Sequence, residues 1–338
     1  MVPSFRRREL LQFAGAATIG ALAGHYIPSP RPLNPERFGY TFDLGATQRF
    51  EQRERWKASD FDGDIKGAGR NKVVRLWKLW ERAAGHEFVP HLQEIGDCVG
   101  QAMALGLETQ SAVRTISDQV YDWVGKISTE LLYIASRIEV GQGQFGWREG
   151  STGAWVVEAA ERFGVLPRAN YGKGIDVSKY NPKLAKDLSS CWRGRPGEGV
   201  PKWLELQMLQ NPLRRAVRID GGFDQAADYV GSGYPILLCS QIGYVTVTDD
   251  DGFLLRSRKP WPHSMLMWGV DTLSKRQGGC IANSWGDDWY NVRGYHKHGT
   301  PAGSFWVDRG NLDLMLESND CFALVEFNGP VKRKLITE

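Results

Sequence analysis

The residue best placed to do chemistry is Cys98, in the run Gly96-Asp97-Cys98-Val99-Gly100-Gln101-Ala102. A Gly-Asp pair makes a turn. The small and apolar residues Ala102, Ala104, Leu105, Leu107, Ala112 and Val113 then predict a helix with Cys98 in its first turn and Asp97 near the cap position. The unpaired N–H groups and positive end of a helix favour a thiolate there. A small buried hydrophobe would occupy the same place, so the chemical reading needs a base and a group to orient it. His263 follows Trp261-Pro262 and opens the apolar strand pattern Met265 to Val270. Twenty residues on, Asn283-Ser284-Trp285-Gly286 ends the pattern Cys280-Ile281-Ala282. Two strands joined through the Ser274–Gly279 turn would bring the Asn283 carboxamide to the His263 ring. An amide there sets the tautomer and orientation of a base without adding charge. Trp285 would roof that bond and exclude water.

The other histidines carry no such case. His86 and His91 flank an extended, proline-containing piece at a spacing that suits no helix or strand pair of ligands, and His25 sits at a leader boundary. His296 and His298 lie in a loop with Lys297, Gly299 and Pro301. The five cysteines, Cys98, Cys191, Cys239, Cys280 and Cys321, form no CxxC pair, which argues against a ribbon-type zinc site or a dithiol redox motif. No cofactor or metal is expected. The acidic stretch Asp60 to Asp64 lacks the calcium-loop pattern.

Around these residues the chain divides by pattern. Residues 1–23 read as an export signal: Arg6-Arg7-Arg8, then Leu10-Leu11, an apolar Gly/Ala-rich run, and Ala21-Leu22-Ala23 as a cleavage site. Arg7 to Gln12 resembles a twin-arginine signal, so a periplasmic or extracellular location is expected. Residues 24–84 read as an extension: a tether with Pro28, Pro30, Pro32 and Pro35, a charged stretch, and an amphipathic helix over Val73 to Ala84. Helices are predicted from Cys98, over Ser128–Val140 and over Ala154–Phe163, with a short one over Trp203–Leu209. Strand patterns follow at Tyr234–Cys239, Tyr244–Val247, Met265–Val270, Cys280–Ala282, Gly303–Val307 and Cys321–Phe327. A helical lobe over about 85–210 thus precedes a sheet lobe over about 211–330, and 331–338 is a basic tail. The chain has 338 residues, enough for a two-lobed core, and its formal charge of +3 gives no footing for nucleic acid. No second long apolar segment argues for an integral membrane domain, and a monomer is expected.

The order cysteine, histidine, asparagine, with “NSWGDDW” from Asn283 to Trp289, resembles the papain-like cysteine peptidase superfamily, in a divergent bacterial or phage-type form. “GSTGAW” from Gly150 to Trp155 resembles the family's glycine-rich piece, which borders the substrate cleft, and “GSFWVDRG” from Gly303 resembles its late strand. The resemblance spans about residues 85–328. It implies an α+β, two-lobe fold, with a helical N-terminal lobe, a twisted antiparallel sheet lobe and the active-site cleft between them. It implies hydrolysis of a peptide or protein substrate through a thioester on Cys98, with His263 as base and acid, Asn283 as its orienter, and the Cys98 N–H and Gln93 amide as oxyanion donors. Gly150, Gly153 and Trp285 would contact substrate. Two other activities are compatible: a domain that binds peptides or partners without turnover, and an amidase or acyltransferase acting on cell-wall peptides.

The departures are local. Gln93 stands five residues before Cys98 where the family has six, Val99 replaces a tryptophan, and Asp97 replaces a small neutral residue. The family's cysteine just before the nucleophile is missing, so that disulfide cannot form. Papain-like zymogens often carry a helical propeptide that runs backward through the cleft. Residues 46–84 would supply a reduced version of it or, the reading favoured here, a permanent brace.

Overall fold

A computed structural model describes residues 38–52, 63–117, 123–190, 197–286 and 299–327. The leader, most of the tether, the basic tail, Cys191, His25, His296, His298 and the end of the “NSWGDDW” motif lie outside the described residues.

The chain is built on the cysteine helix, Cys98–Ser117. It is small or apolar on nearly every face and buried along most of its length. A helix of that kind belongs inside a core rather than on its surface. Two glycines allow its close contacts. A Cβ on Gly100 would lie 2.8 Å from the Thr129 carbonyl oxygen, and one on Gly106 would lie 2.4 Å from Leu324 Cδ1. Even its buried carboxylate is satisfied: Glu108 accepts from Trp80 Nε1 at 3.1 Å and from the Ile127 N–H at 2.9 Å.

On one side the helix meets the helical lobe. Thr129–Ala135 starts at the Ser128 cap and runs into a π-turn over Ser136–Val140. Gly153–Arg162 starts at Thr152, whose hydroxyl accepts from the Trp155 N–H at 3.0 Å. On the other side lies a seven-stranded sheet. Its centre is the histidine strand, His263–Asp271, buried at every position. A strand covered on both faces needs a continuous apolar run rather than alternation, and that is what this segment has. Its antiparallel neighbours are the asparagine strand Gly278–Ala282 on one edge and Ile236–Ser240 on the other. The late strand Ser304–Asp308 extends the sheet beyond Gly278–Ala282. Phe322–Phe327 and Leu213–Arg218 extend it the other way.

Val73 to Ala84 is not one helix. Val73–Arg75 is a strand paired with Gly269–Asp271, on the stretch of edge that Ile236–Ser240 leaves open, and only Leu76–Ala84 is helical. Two adjacent valines and a sheet edge outweigh the helical periodicity. The helix places Trp77 and Trp80 against the core, and Trp80 contacts Phe88 edge-on. This part of the extension is therefore woven into the sheet lobe. Three elements carry weak sequence signals. Leu213–Arg218 holds three arginines in six positions, Gly222–Gly231 starts and ends on glycine, and Arg309–Leu316 is marked mainly by its Asp308 cap. No helix among the described residues is long and apolar enough to cross a membrane.

Candidate functional site

Cys98 is the first residue of its helix and is fully buried. His263 is the first residue of its strand and is equally buried. The strand therefore delivers the imidazole to the junction of the lobes, where the helix begins. The backbone N–H of Ser264, the next residue after His263, lies near enough to the Cys98 thiol to favour its thiolate. His263 Nε2 bonds Asn283 Oδ1 at 2.8 Å, and the Ser284 N–H donates to the same oxygen at 2.7 Å. Because Oδ1 only accepts, Nε2 carries the proton and Nδ1 is the basic nitrogen. Nδ1 is buried and has no other partner. The pairing of Leu266 with Ala282 sets this meeting, since it aligns the start of one strand with the end of the other. Trp285 stacks on the imidazole, ring centres 4.5 Å apart and planes 29° from parallel, so it does roof the bond.

Gln93 is buried beside this group. Its backbone N–H donates to the Ser284 carbonyl at 2.8 Å, and its side-chain oxygen accepts from the Ser284 hydroxyl. Its Nε2 donates to the Ile95 carbonyl at 2.9 Å, inside the loop that leads to Cys98. The shortened spacing thus still brings the amide to the cysteine loop. Ser284 is the support that motif reading passed over, although it stands inside Asn-Ser-Trp-Gly.

Asp97 departs from its expected place. Its carboxylate does not cap the cysteine helix. Oδ2 accepts from Gln101 Nε2 and from the Tyr180 hydroxyl, each at 3.0 Å. Burial pushes its pKa up to about 7. Burial also pushes the Cys98 thiol up to about 12, with the Asp97 charge adding to the shift, and pulls His263 down to about 4. In this structure burial favours the neutral thiol of Cys98 and the neutral imidazole of His263.

The cause of that burial is the chain itself. Residues Phe38 to Thr41 lie across the cleft. Thr41 N–H donates to Ser151 O at 2.9 Å, Ser151 N–H to Gly39 O at 2.8 Å, and Tyr40 N–H to Pro262 O at 3.2 Å. Tyr40 pairs in parallel with Ser151. The Gly39 backbone N–H lies near enough to the Cys98 thiol to favour its thiolate. Phe38 packs edge-on against Trp285, ring centres 5.4 Å apart, and against His263. Tyr40 is sunk beside the Asp320 carboxylate and the Cys239 thiol. The helix Leu44–Gln52 follows and sets Phe50 against Phe322 at 4.9 Å. So the extension divides: its later part braces the sheet and its earlier part covers the cleft.

The glycine-rich piece divides as well. Gly150 borders the covered cleft, since a Cβ there would lie 2.8 Å from Gly39 O. Gly153 does not face it. Its N–H donates to Asp320 Oδ2 at 2.8 Å, and a Cβ would meet the Cys239 sulfur at 2.8 Å, so this glycine serves helix packing. The backbone of Ser151 is the edge that pairs with an extended strand in the cleft. Backbone roles of this kind leave no side-chain signal in a sequence.

The fold as a whole also occurs in solved structures. Xylellain, a cysteine protease from Xylella fastidiosa, matches over 90% of this chain and 95% of its own, with 15% identity and a TM-score of 0.50. This is the papain-like fold. A second papain-like structure, proCathepsin B S9 from Trypanosoma congolense, matches over 88% of each chain with 11% identity and a TM-score of 0.45. No protein-family model matches the sequence, and no curated protein does.

The four cysteines among the described residues are buried and free, with Cys239 and Cys321 close neighbours. No group of three potential metal ligands occurs among the described residues.

Proposed function

We propose that the chain is a cysteine peptidase held in a covered form by residues 38–41. The observation that carries this reading is the His263 ring: Nε2 committed to Asn283 at 2.8 Å, Nδ1 buried without another partner, beside a cysteine that opens a buried helix. With the cleft open to water, Cys98 gives its proton to His263 Nδ1. The thiolate attacks a substrate carbonyl carbon, and the oxyanion gathers the Cys98 N–H and the Gln93 amide. His263 passes its proton to the leaving amine as the C–N bond breaks. Water then attacks the thioester, His263 takes a proton from it, and the thiol is released with the acid. Asn283 keeps the ring in place throughout, and Trp285 keeps water from their bond. Gly150 and Ser151 offer their backbone edge to the extended substrate, as they do to Gly39 and Thr41. The covering segment brings the Gly39 backbone to the thiol, and so blocks it. An export signal and a peptide or protein substrate outside the cytoplasm fit the same reading.

The test is labelling by a peptidyl epoxide after limited proteolysis of the covering segment. The expected result is a single adduct on Cys98, absent in Cys98→Ala and strongly slowed in His263→Ala, together with cleavage of a mixed peptide library. Uncovered, folded protein with no adduct and no cleavage would instead favour a peptide-binding domain.

A further inference from the structure

Asn283 also lines a cavity of about 10 Å³. His91, Gln101, Asn283 and Ser284 give it polar walls, and Phe88 and Leu105 are among its apolar ones. That is room for one water molecule. Two buried polar atoms of the residues lining it have no partner: His91 Nε2 and Asn283 Nδ2. Left so, each would keep the cost of its lost hydration unmet.

Their chemistry is complementary. Gln101 Nε2 donates to Asp97 Oδ2 at 3.0 Å, which turns Gln101 Oε1 toward His91 Nδ1, also at 3.0 Å. His91 Nδ1 therefore carries the ring proton, and Nε2 is an acceptor. Asn283 Oδ1 is filled by His263 and Ser284, so its NH₂ is left as a donor. One water can accept from Asn283 and donate to His91, and it would satisfy both. Main-chain bonding places His91 there: Gly286 N–H donates to His91 O at 2.8 Å, beside the Gln93–Ser284 bond.

We propose that His91 is a positioning residue, which holds the Asn283 carboxamide through one buried water and so ties the imidazole of His263 to the Asp97–Gln101 pair. The proposal rests on the hydrolase reading of Cys98, His263 and Asn283. The donors then run in one direction, from His263 through Asn283, the water, His91 and Gln101 to the Asp97 carboxylate. His91 remains a neutral acceptor in this role. Burial, then the positive charges of Lys126 and Arg168, pulls its pKa down to about 3.

Two measurements test it. A high-resolution crystal structure of the full chain should hold a water within hydrogen-bond distance of both His91 Nε2 and Asn283 Nδ2. An empty cavity overturns the proposal. In parallel, His91→Asn keeps a donor for Gln101 but loses the far acceptor, whereas His91→Gln places an amide near the Nε2 position. His91→Asn should slow iodoacetamide alkylation of Cys98 at neutral pH, and kcat for peptides, by on the order of tenfold, with KM little changed. Its alkaline limb should move to lower pH, because a looser Asn283 holds the His263 proton less well. His91→Gln should recover to within about threefold of the parent. Equal rates and pH limits for His91→Asn and parent, or a glutamine variant as impaired as the asparagine one, refute it. With the covering segment removed by limited proteolysis, a Cys98 no more reactive than an ordinary thiol would sink the hydrolase reading, and diffraction would still decide the water.

Discussion

Gly39→Ala is the most direct probe of the covered site. A Cβ on residue 39 would lie 1.9 Å from Gly96 O and 2.2 Å from Gly96 C. Both are backbone atoms of the cysteine loop and cannot rotate away. The covering segment must therefore lift. Three backbone hydrogen bonds, the burial of Tyr40, and the packing of Phe38 on Trp285 and Phe50 on Phe322 keep the segment mostly closed. A steric penalty of about 2 kcal/mol on the closed form raises its opening constant by roughly 30-fold. Opening returns water to a thiol held up to about 12 and an imidazole held down to about 4, and both shifts then relax toward an ion pair. Cys98 alkylation by iodoacetamide, followed by mass spectrometry at pH 7, should accelerate on the order of 10- to 30-fold in Gly39→Ala. The parent's rate should climb steeply with pH between 7 and 9, while the variant's should be flatter because its thiolate is already formed. Equal or slower alkylation in a Gly39→Ala protein with the parent's circular dichroism and melting transition would refute the covering role.

Three further outcomes follow from the same contacts. Gln93→Ala should lower kcat on the order of 100-fold with a much smaller change in KM, the pattern of a lost oxyanion donor; an unchanged kcat in steady-state assays would remove Gln93 from that role. Asp97 holds its proton up to about 7 in the fold and ionises near 3.9 when unfolded, so the native state binds the extra proton and this group's contribution to stability falls as pH rises through that window. Asp97→Asn should therefore gain on the parent by on the order of 2 kcal/mol between pH 4 and pH 8 in urea titrations, and its Cys98 should alkylate faster; a pH-independent difference would contradict the buried carboxylate. Gly100→Ala pushes a methyl to 2.8 Å from Thr129 O and should cost about 1–3 kcal/mol in the same titrations.

Much of this site was legible because a few side chains have types that the chemistry cannot replace. Cys98 at a helix start, His263 before an apolar run and Asn283 before Ser-Trp-Gly each stand next to a recognisable local pattern, and the hairpin joining the last two is short. Asp97 was misplaced because a carboxylate before a helix ordinarily caps it. Here Gln101, one turn on, and Tyr180, far away in sequence, offered it donors instead. His91 drew no attention because its spacing to His86 suits no ligand pair, and its partners come from the cysteine helix and from a cavity that exists only once the lobes have closed.

The sequence by itself singled out Cys98, His263 and Asn283 as the candidates for nucleophile, base and orienting amide, and determined the order of a helical and a sheet lobe and most of the elements that carry them. These rest on local periodicity and residue type, which act between near neighbours. Only the tertiary structure decided that Val73–Arg75 joins the central sheet, that Gly153 packs against Cys239 and Asp320 rather than facing substrate, and that Phe38 to Thr41 lie over the thiol. Those outcomes depend on which backbone edges and sealed spaces remain when distant segments pack, and main-chain hydrogen bonds between them leave no mark on side-chain pattern.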